Sequence, residues 1–383
     1  MTNPSVNHTL ELKITRDRAQ EAPRKRFEGF DFLRAIFSIA IVALKTNLFL
    51  LAEILVSSSL AYALMSQIGY MAVPVFLQIS LFLFYLKSKK TGFSYFIQKR
   101  LPKLISLYLF WLISLVLFDI FVAGEWATIK ARLSSFRKVV EFIVSGNQSP
   151  FFFFFSLIFL STLAAMLSTI FKRLGKPSTK IAISYGLLLI SCILVLSFPV
   201  ADLIVSQSPS NSDPAFLRII SNMAGWDYNP ISFLPYLFTA LIATQEFNDG
   251  KLNRLNLWLK VKLLVLLSLF VMFAVLEFNL FEKLLHYSRL SLICGSWLLL
   301  DIAILSTRKV PGIVKFISTC SLGIYGFHVF FTRIPDLEHT IFINQFWQIV
   351  PGLEIIAVFL VTLIGAIALT LLFQRIRLLK NFV

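Results

Sequence analysis

The feature that most constrains this chain is a series of apolar runs of about 18 to 24 residues, each long enough to cross the ~30 Å hydrocarbon core of a bilayer. Only 15% of the residues are charged, compared with about 25% in soluble domains. Ten runs are recognisable, at residues 31–51, 68–86, 102–123, 150–171, 181–200, 230–245, 262–281, 287–306, 316–334 and 350–373. The sequence therefore predicts an all-α, polytopic integral membrane protein with about ten transmembrane helices.

The Lys and Arg residues are distributed unevenly between the two sides of the predicted membrane. If the amino terminus lies on the cytoplasmic side, the segments on that side hold 26 of these residues and the segments on the outer side hold eight. Because short cytoplasmic loops are enriched in Lys and Arg, both termini are predicted to be cytoplasmic. This topology accounts for the net charge of +16, so membrane lipids are expected as partners and nucleic acid is not.

The chain divides into three parts along its length. Residues 1–26 are polar and mixed in charge, which predicts a short disordered cytoplasmic arm without a cleavable signal peptide. Residues 27–375 form the transmembrane domain, and residues 376–383 a cytoplasmic tail. Within the domain, the segment 125–145 has apolar residues at helical spacing and cations on the other face, which predicts a helix lying on the outer membrane surface.

The three cysteines are interpreted as packing residues. Cys192, Cys294 and Cys320 all lie in apolar runs and have no spacing suited to a metal site or a disulfide framework. We therefore expect no metal cofactor.

The first apolar run carries a cation near each end, Arg34 and Lys45. A charge inside hydrocarbon costs roughly 2.5–3.5 kcal/mol on insertion scales, so it usually faces a cavity or a partner. Eleven residues separate the two, which is three helical turns and about 16 Å along the axis, so they share one face. Arg34 is predicted near the cytoplasmic surface and Lys45 near the outer one. The alternative is a pair of snorkelling side chains that only anchor the helix.

A second cationic group joins the second and third runs. Pro102 is suited to a first helical turn, which would leave a helix amino terminus beside Arg100 and Lys103. Helix amino termini with nearby cations bind anions, phosphate in particular. Ordinary positive-inside anchoring is the alternative explanation.

A few uncharged or titratable polar residues interrupt or flank the apolar runs and are candidates to line a site. Ser80 lies within the second run. Tyr325 and His328 lie one turn apart in the ninth run, in the outer half where Lys45 is also predicted. Asp227 and Asn229 precede the sixth run, where they suit a turn and helix start as well as a substrate contact.

The order of short motifs along the chain resembles that of the membrane acyltransferase-3 family, which includes the fucose-4-O-acetylase-like and polysaccharide O-acetyltransferases. No single motif is highly specific, and the resemblance covers about residues 27–373. The similar elements are Phe30–Arg34 followed by Lys45, Val73–Phe82, Arg100–Lys103, Phe151–Leu163, Phe233–Tyr236 and Ser321–His328.

The resemblance implies transfer of an acyl group, commonly acetyl, from cytoplasmic acyl-CoA to a hydroxyl of a cell-surface or lipid-linked glycan at the outer face. It implies that Arg34, Arg100 and Lys103 contact the acyl-CoA donor and that Tyr325 and His328 line the site. It also implies a bacterial cytoplasmic (inner) membrane as the location, with glycan-synthesis proteins as further partners.

The main departure from the family pattern is Lys45, which stands where the family has its key histidine. An imidazole accepts and returns protons near neutral pH, whereas an ordinary lysine is protonated and cannot. Burial favours the neutral amine, which would let Lys45 act as general base or accept the acyl group itself. Otherwise Lys45 holds an anionic group and His328 is the in-span candidate for the base.

Two further losses suggest a divergent branch of the family. Leu81 replaces the usual glycine of the second helix, and the aromatic element near Phe151 lacks its tryptophan. The alternative function is therefore a catalytically inactive relative that acts in glycan transport or export.

Overall fold

The computed structural model describes residues 27–207, 215–224, 226, 228–281, 286–334 and 352–383, and these residues form helices and connecting segments without any strand. The predicted arm, residues 1–26, and Asp227 lie outside the described residues. The α-helices are α1 (Glu28–Lys45), α2 (Leu51–Leu55), α3 (Ser58–Leu64), α4 (Ala72–Tyr95), α5 (Leu101–Phe121), α6 (Trp126–Arg132), α7 (Phe136–Ser145), α8 (Phe152–Arg173), α9 (Pro177–Gln207), α10 (Ala215–Ala224), α11 (Leu234–Asn248), α12 (Leu257–Leu280), α13 (Leu290–Leu305), α14 (Gly312–Phe331) and α15 (Leu353–Arg375).

Seven helical segments of the described chain are long and apolar enough to cross a membrane. An eighth results if α1 and the segment Leu48–Leu55, which are bent by 76° relative to one another, are one broken span. The all-α, polytopic membrane class predicted from the sequence is thus confirmed. A helix lies on each of the ten predicted runs, but α11 and α13 have only 15 and 16 residues, so the count of ten and the cytoplasmic termini stay predictions.

Helices α1 and α14 pack side by side and define the two ends of the bundle. Near the start of α1, buried Asp31 accepts a hydrogen bond of 2.9 Å from Ser318 Oγ of α14. At the other end of α1, Lys45 lies within electrostatic range of His328. We call these the Asp31 end, predicted to be cytoplasmic, and the Lys45 end, predicted to be outer.

Helix α4 is the central element of the bundle, because it packs against α1, α8, α11 and α13. Its buried polar side chains are tied to its neighbours: Gln78 Nε2 donates to Thr239 Oγ1 over 2.8 Å, and the hydroxyls of Ser88 and Ser168 are 3.0 Å apart. The chain then reverses at Gly92, whose φ of 75° is unfavourable for residues with a Cβ. It returns through a π-helical turn, Phe96–Arg100, into α5.

The predicted surface helix at 125–145 is two short helices, α6 and α7, which break between residues 132 and 136. A polar network ties this region to the Lys45 end of the bundle. Asp119 Oδ2 accepts hydrogen bonds of 2.7 Å from both Asn147 Nδ2 and Arg333 Nη1. Arg132 Nη1 donates to Asn147 Oδ1 over 2.5 Å, so the network joins α5, α6, the segment after α7 and the end of α14.

Candidate active site

Lys45 is the last residue of α1 and is exposed at the side of the bundle. The helix ends there because Asn47 adopts left-handed backbone angles, with φ of 58°, and Thr46 bonds back to the Val42 carbonyl. The protein thus does not bury Lys45, and burial was the condition under which the sequence predicted a neutral amine. The exposed ammonium is better suited to attracting an anionic group than to accepting a proton.

His328 has the opposite environment, because its side chain is fully buried in α14. Its Nδ1 lies 3.1 Å from the carbonyl oxygen of Ile324, one turn earlier. A carbonyl can only accept a hydrogen bond, so in the neutral ring Nδ1 carries the proton and Nε2 presents a lone pair. Among the described residues, Nε2 has no hydrogen-bond partner. Nε2 is therefore the ring nitrogen that could accept a proton.

Tyr325 lies beside His328 with a distance of 5.7 Å between ring centroids. Its hydroxyl donates to the carbonyl oxygen of Pro150, and its ring contacts Phe153 at 5.2 Å and Phe76 at 6.3 Å. Edge-to-face contacts of this kind fix the orientation of a ring. The structure therefore brings Tyr325 and His328 together at the Lys45 end, with Tyr325 held between α4, α8 and the segment before α8.

Arg100 and Ser80, both candidates from the sequence, are in direct contact. Arg100 Nη2 donates to Ser80 Oγ over 2.9 Å and to the Ser80 carbonyl over 3.2 Å. Nε and Nη2 each lie 3.4 Å from Ser161 Oγ on α8, and the guanidinium lies over the Phe84 ring at 4.8 Å. The guanidinium is thus half-buried between α4 and α8, well inside the bundle.

The helix start predicted as an anion site is not formed. Pro102 does lie in the first turn of α5, but the preceding turn is already helical and the Leu101 N–H donates to the Phe96 carbonyl. A helix terminus binds anions through N–H groups that have no partner, and continuous helix removes them. Lys103 is exposed and does not join the contacts of Arg100.

Arg34 is half-buried on α1, one turn beyond Asp31. It lies near the Asp31 end and Lys45 at the other, as the eleven-residue spacing predicts. The roles of the candidate residues in donor binding and catalysis stay predictions.

A basic pocket lies at the Asp31 end between α4, α8, α9 and α11. Phe27, just before α1, contacts Phe247 of α11 with 5.5 Å between the ring centroids. Asn248 and Asp249, which follow Phe247, line this pocket. The pocket has a volume of about 260 Å³. Its lining includes Lys89, Lys172, Lys180, Ser168 and Tyr85, whose buried hydroxyl has no partner among the described residues.

Sequence reasoning missed acidic residues within apolar runs or at their ends, although their cost in hydrocarbon was a signal that could have found them. Glu246 and Asp301 flank Lys262, with Nζ–O distances of 2.5 and 2.7 Å. Tyr185 donates to Glu246 over 3.1 Å. This buried network stabilises the Asp31 end, as the Asp119 network does at the opposite end. In the described chain no group of three or more His, Cys, Asp or Glu side chains is arranged to hold a metal.

The fold and the site define an integral membrane protein with a buried imidazole at one end of its helix bundle and a basic pocket at the other. The family model Acyl_transf_3, described as an acyltransferase domain, matches residues 27–371. The chain therefore belongs to the acyltransferase-3 family, which makes it a membrane acyltransferase. Comparison with curated proteins and with solved structures gave no match.

Proposed function

We propose that this protein is an O-acyltransferase that moves an acyl group, which we take to be acetyl, from cytoplasmic acyl-CoA to a hydroxyl of a cell-surface or lipid-linked glycan at the outer face. The observation that carries the proposal is His328, whose Nδ1 is engaged by a carbonyl and whose buried Nε2 has no hydrogen-bond partner in the part of the chain that the structure describes. A buried nitrogen with a free lone pair usually accepts a hydrogen bond from a ligand or from water. The hydroxyl of the acyl acceptor could donate that hydrogen bond and then transfer its proton.

The basic pocket at the Asp31 end is the proposed site for the phosphates of acyl-CoA. Its three lysines, Lys89, Lys172 and Lys180, come from segments that the charge distribution predicts to be cytoplasmic. Lysine ammonium groups are suited to phosphate oxygens. The unpartnered hydroxyl of Tyr85 offers a further hydrogen bond to the donor.

We place the proposed route of the acyl donor along helix α4, from this pocket to His328. Tyr85 lines the pocket, Ser80 holds Arg100, and Phe76 contacts Tyr325, which neighbours His328. Nine residues separate Tyr85 from Phe76, about 14 Å along the helix axis. The extended pantetheine arm of a coenzyme A thioester is suited to such a path, with Arg100 contacting it midway.

The proposed reaction exchanges a thioester for an ester. The acceptor oxygen attacks the thioester carbonyl, its proton moves to His328 Nε2, and the carbon–sulfur bond breaks as the carbon–oxygen bond forms. The proton then passes to the leaving sulfur, which restores neutral His328. The Lys45 ammonium stabilises negative charge that develops on the carbonyl oxygen.

The test uses the full-length protein in lipid nanodiscs with radiolabelled acetyl-CoA and the total glycan of its host. Label transferred to glycan by the wild type, and lost in His328→Asn with acetyl-CoA binding retained, supports the proposal. Absence of both transfer and acetyl-CoA binding in the wild type overturns it. Glycan translocation that proceeds without acyl-CoA would instead support a transport function.

A further inference from the structure

Arg289 is a buried cation with unused hydrogen-bond donors. It is one of the eight cations counted for the predicted outer side and lies at the start of the eighth apolar run, and it is only 3% exposed at the start of α13. Its Nη2 donates to the carbonyl oxygen of Ser66. Among the described residues, Nε and Nη1 have no hydrogen-bond partner. A buried guanidinium in this condition is costly unless a ligand or water completes its contacts.

Glu277 supplies the opposite charge without occupying these donors. Its Oε1 accepts from the Ser291 N–H over 3.0 Å, and its Oε2 accepts from Ser291 Oγ over 2.5 Å. The carboxylate and the Arg289 guanidinium are within electrostatic range of one another. The charge of Arg289 is therefore partly balanced while its Nε and Nη1 remain available.

Tyr236 is a second group with unused hydrogen-bonding capacity in the part of the chain that the structure describes. The Tyr236 hydroxyl is fully buried, has no hydrogen-bond partner among the described residues, and is within electrostatic range of the guanidinium. The hydroxyls of Ser232 and Ser288, which are 2.8 Å apart, fix the turn before α11 against the residue preceding Arg289. The Arg289 guanidinium and the Tyr236 hydroxyl, both buried and both with unused hydrogen-bonding capacity, thus lie in the same region of the bundle.

A largely apolar cavity lies at the Lys45 end, close in sequence to the acceptor of the Arg289 hydrogen bond. It has a volume of about 340 Å³, and its lining includes Leu44, Asn47, Glu53, Tyr62 and Met65. Met65 immediately precedes Ser66, whose carbonyl accepts from Arg289, and Tyr62 is within electrostatic range of the guanidinium. Leu44 immediately precedes Lys45. The cavity is therefore lined by residues that neighbour Lys45 and Ser66 in the chain.

The chemistry of arginine restricts what can bind. A guanidinium has five N–H donors and no acceptor, so its ligand must present oxygen acceptors, and anionic oxygens form the strongest bonds. We propose that Arg289 and Tyr236 bind an anionic group of the acceptor, either an acidic-sugar carboxylate or the phosphate of a lipid carrier. The inference rests on the proposed function, because it defines the substrate class of that site.

The test is direct binding, so it needs no acyl donor. Purified full-length protein is titrated with two matched pairs of probes: a short polyprenyl phosphate against its polyprenol, and a uronate-containing oligosaccharide against its neutral counterpart. In the wild type, the anionic member of one pair should bind about tenfold or more tightly than its neutral partner. The pair that shows the difference identifies the source of the anionic group.

Arg289→Gln should abolish that difference, and Lys130→Gln is the matched control because Lys130 is exposed and lies in a segment of the predicted outer side. Since Arg289→Gln also removes the bond to Ser66, Tyr236→Phe provides a variant that loses no hydrogen bond to any described residue. It should weaken anion binding about threefold to tenfold without lowering the melting temperature.

Three results would overturn the inference: equal binding of both members of each pair to the wild type, a difference that survives in Arg289→Gln, or the same loss in Lys130→Gln. These outcomes are separate from failure of the proposed function. A protein that transfers acetyl but shows no anion preference refutes only the substrate class, whereas anion binding without any transfer refutes only the enzymatic activity.

Discussion

His328 Nδ1 lies 3.1 Å from the carbonyl oxygen of Ile324, and this contact decides which ring nitrogen is available for chemistry. Because the carbonyl engages Nδ1, Nε2 is the atom that can take a proton from a substrate.

Replacing His328 by asparagine should reduce acyl transfer by about 10²–10⁴-fold, the usual contribution of a general base. The asparagine amide retains a donor for the Ile324 carbonyl but has no counterpart of Nε2. Single-turnover kinetics of the purified variant, with acyl-CoA binding measured alongside, check this expectation. A variant with wild-type rates would exclude His328 as the base.

Lys45 should act through its charge, since it is exposed at the end of α1. We expect Lys45→Arg to keep most of the transfer rate and Lys45→Ala to lose about 10²–10³-fold, as expected when one stabilising charge is removed. Arginine does not deprotonate, so an inactive Lys45→Arg variant combined with an active Lys45→His variant would show instead that Lys45 is the base. Equal activity of wild type and Lys45→Ala would remove Lys45 from the mechanism.

The pocket lysines should affect donor binding and not the chemical step. Lys172→Gln and Lys180→Gln should each raise KM for acyl-CoA about two- to fivefold with kcat unchanged, because partly exposed charge pairs contribute up to about 1 kcal/mol. Lys176→Gln is the matched control, since Lys176 is exposed between them and does not line the pocket. An equal effect of all three variants would contradict a specific donor site.

Removing Lys262 should destabilise the bundle strongly. Lys262→Met would leave the buried carboxylates of Glu246 and Asp301 without their cation, and breaking a buried pair in this way costs about 3–5 kcal/mol. Thermal unfolding in detergent should give a much lower melting temperature for Lys262→Met than for Lys260→Met. The control removes an exposed lysine two residues earlier on the same helix. Similar melting temperatures for both variants would refute a structural role for the network.

Gly326 should be intolerant of a side chain because α14 approaches α5 closely there. A Cβ at this position would lie 2.2 Å from the Trp111 ring, whereas a Cβ at Gly186 on α9 would meet nothing within 4 Å. We expect Gly326→Ala to lose about 1–3 kcal/mol of stability and Gly186→Ala to be neutral or to gain about 0.4–1 kcal/mol. Equal unfolding free energies for the two variants would show that α5 and α14 do not pack as described.

The site itself could be predicted from the sequence only in part. Ser80 and Arg100 were both candidates, but as members of separate motifs. Their contact depends on the chain reversal at Gly92, which returns residue 100 to the level of residue 80. Likewise, the predicted anion site is absent because the π-helical turn before Leu101 uses the N–H groups that the site needs. The rule that proline favours a first helical turn says nothing about the conformation of the preceding turn.

The sequence by itself determined the all-α membrane class, since apolar runs of spanning length have few other stable forms, and it placed His328 and Tyr325 on one helical face near Lys45. Only the tertiary structure decided which polar groups lack partners. Arg289 was counted with the cations of the predicted outer side and is buried, whereas Lys45 lies in the first apolar run and is exposed. The physical reason is that burial and hydrogen bonding depend on neighbours distant in the chain, which periodicity and composition do not specify.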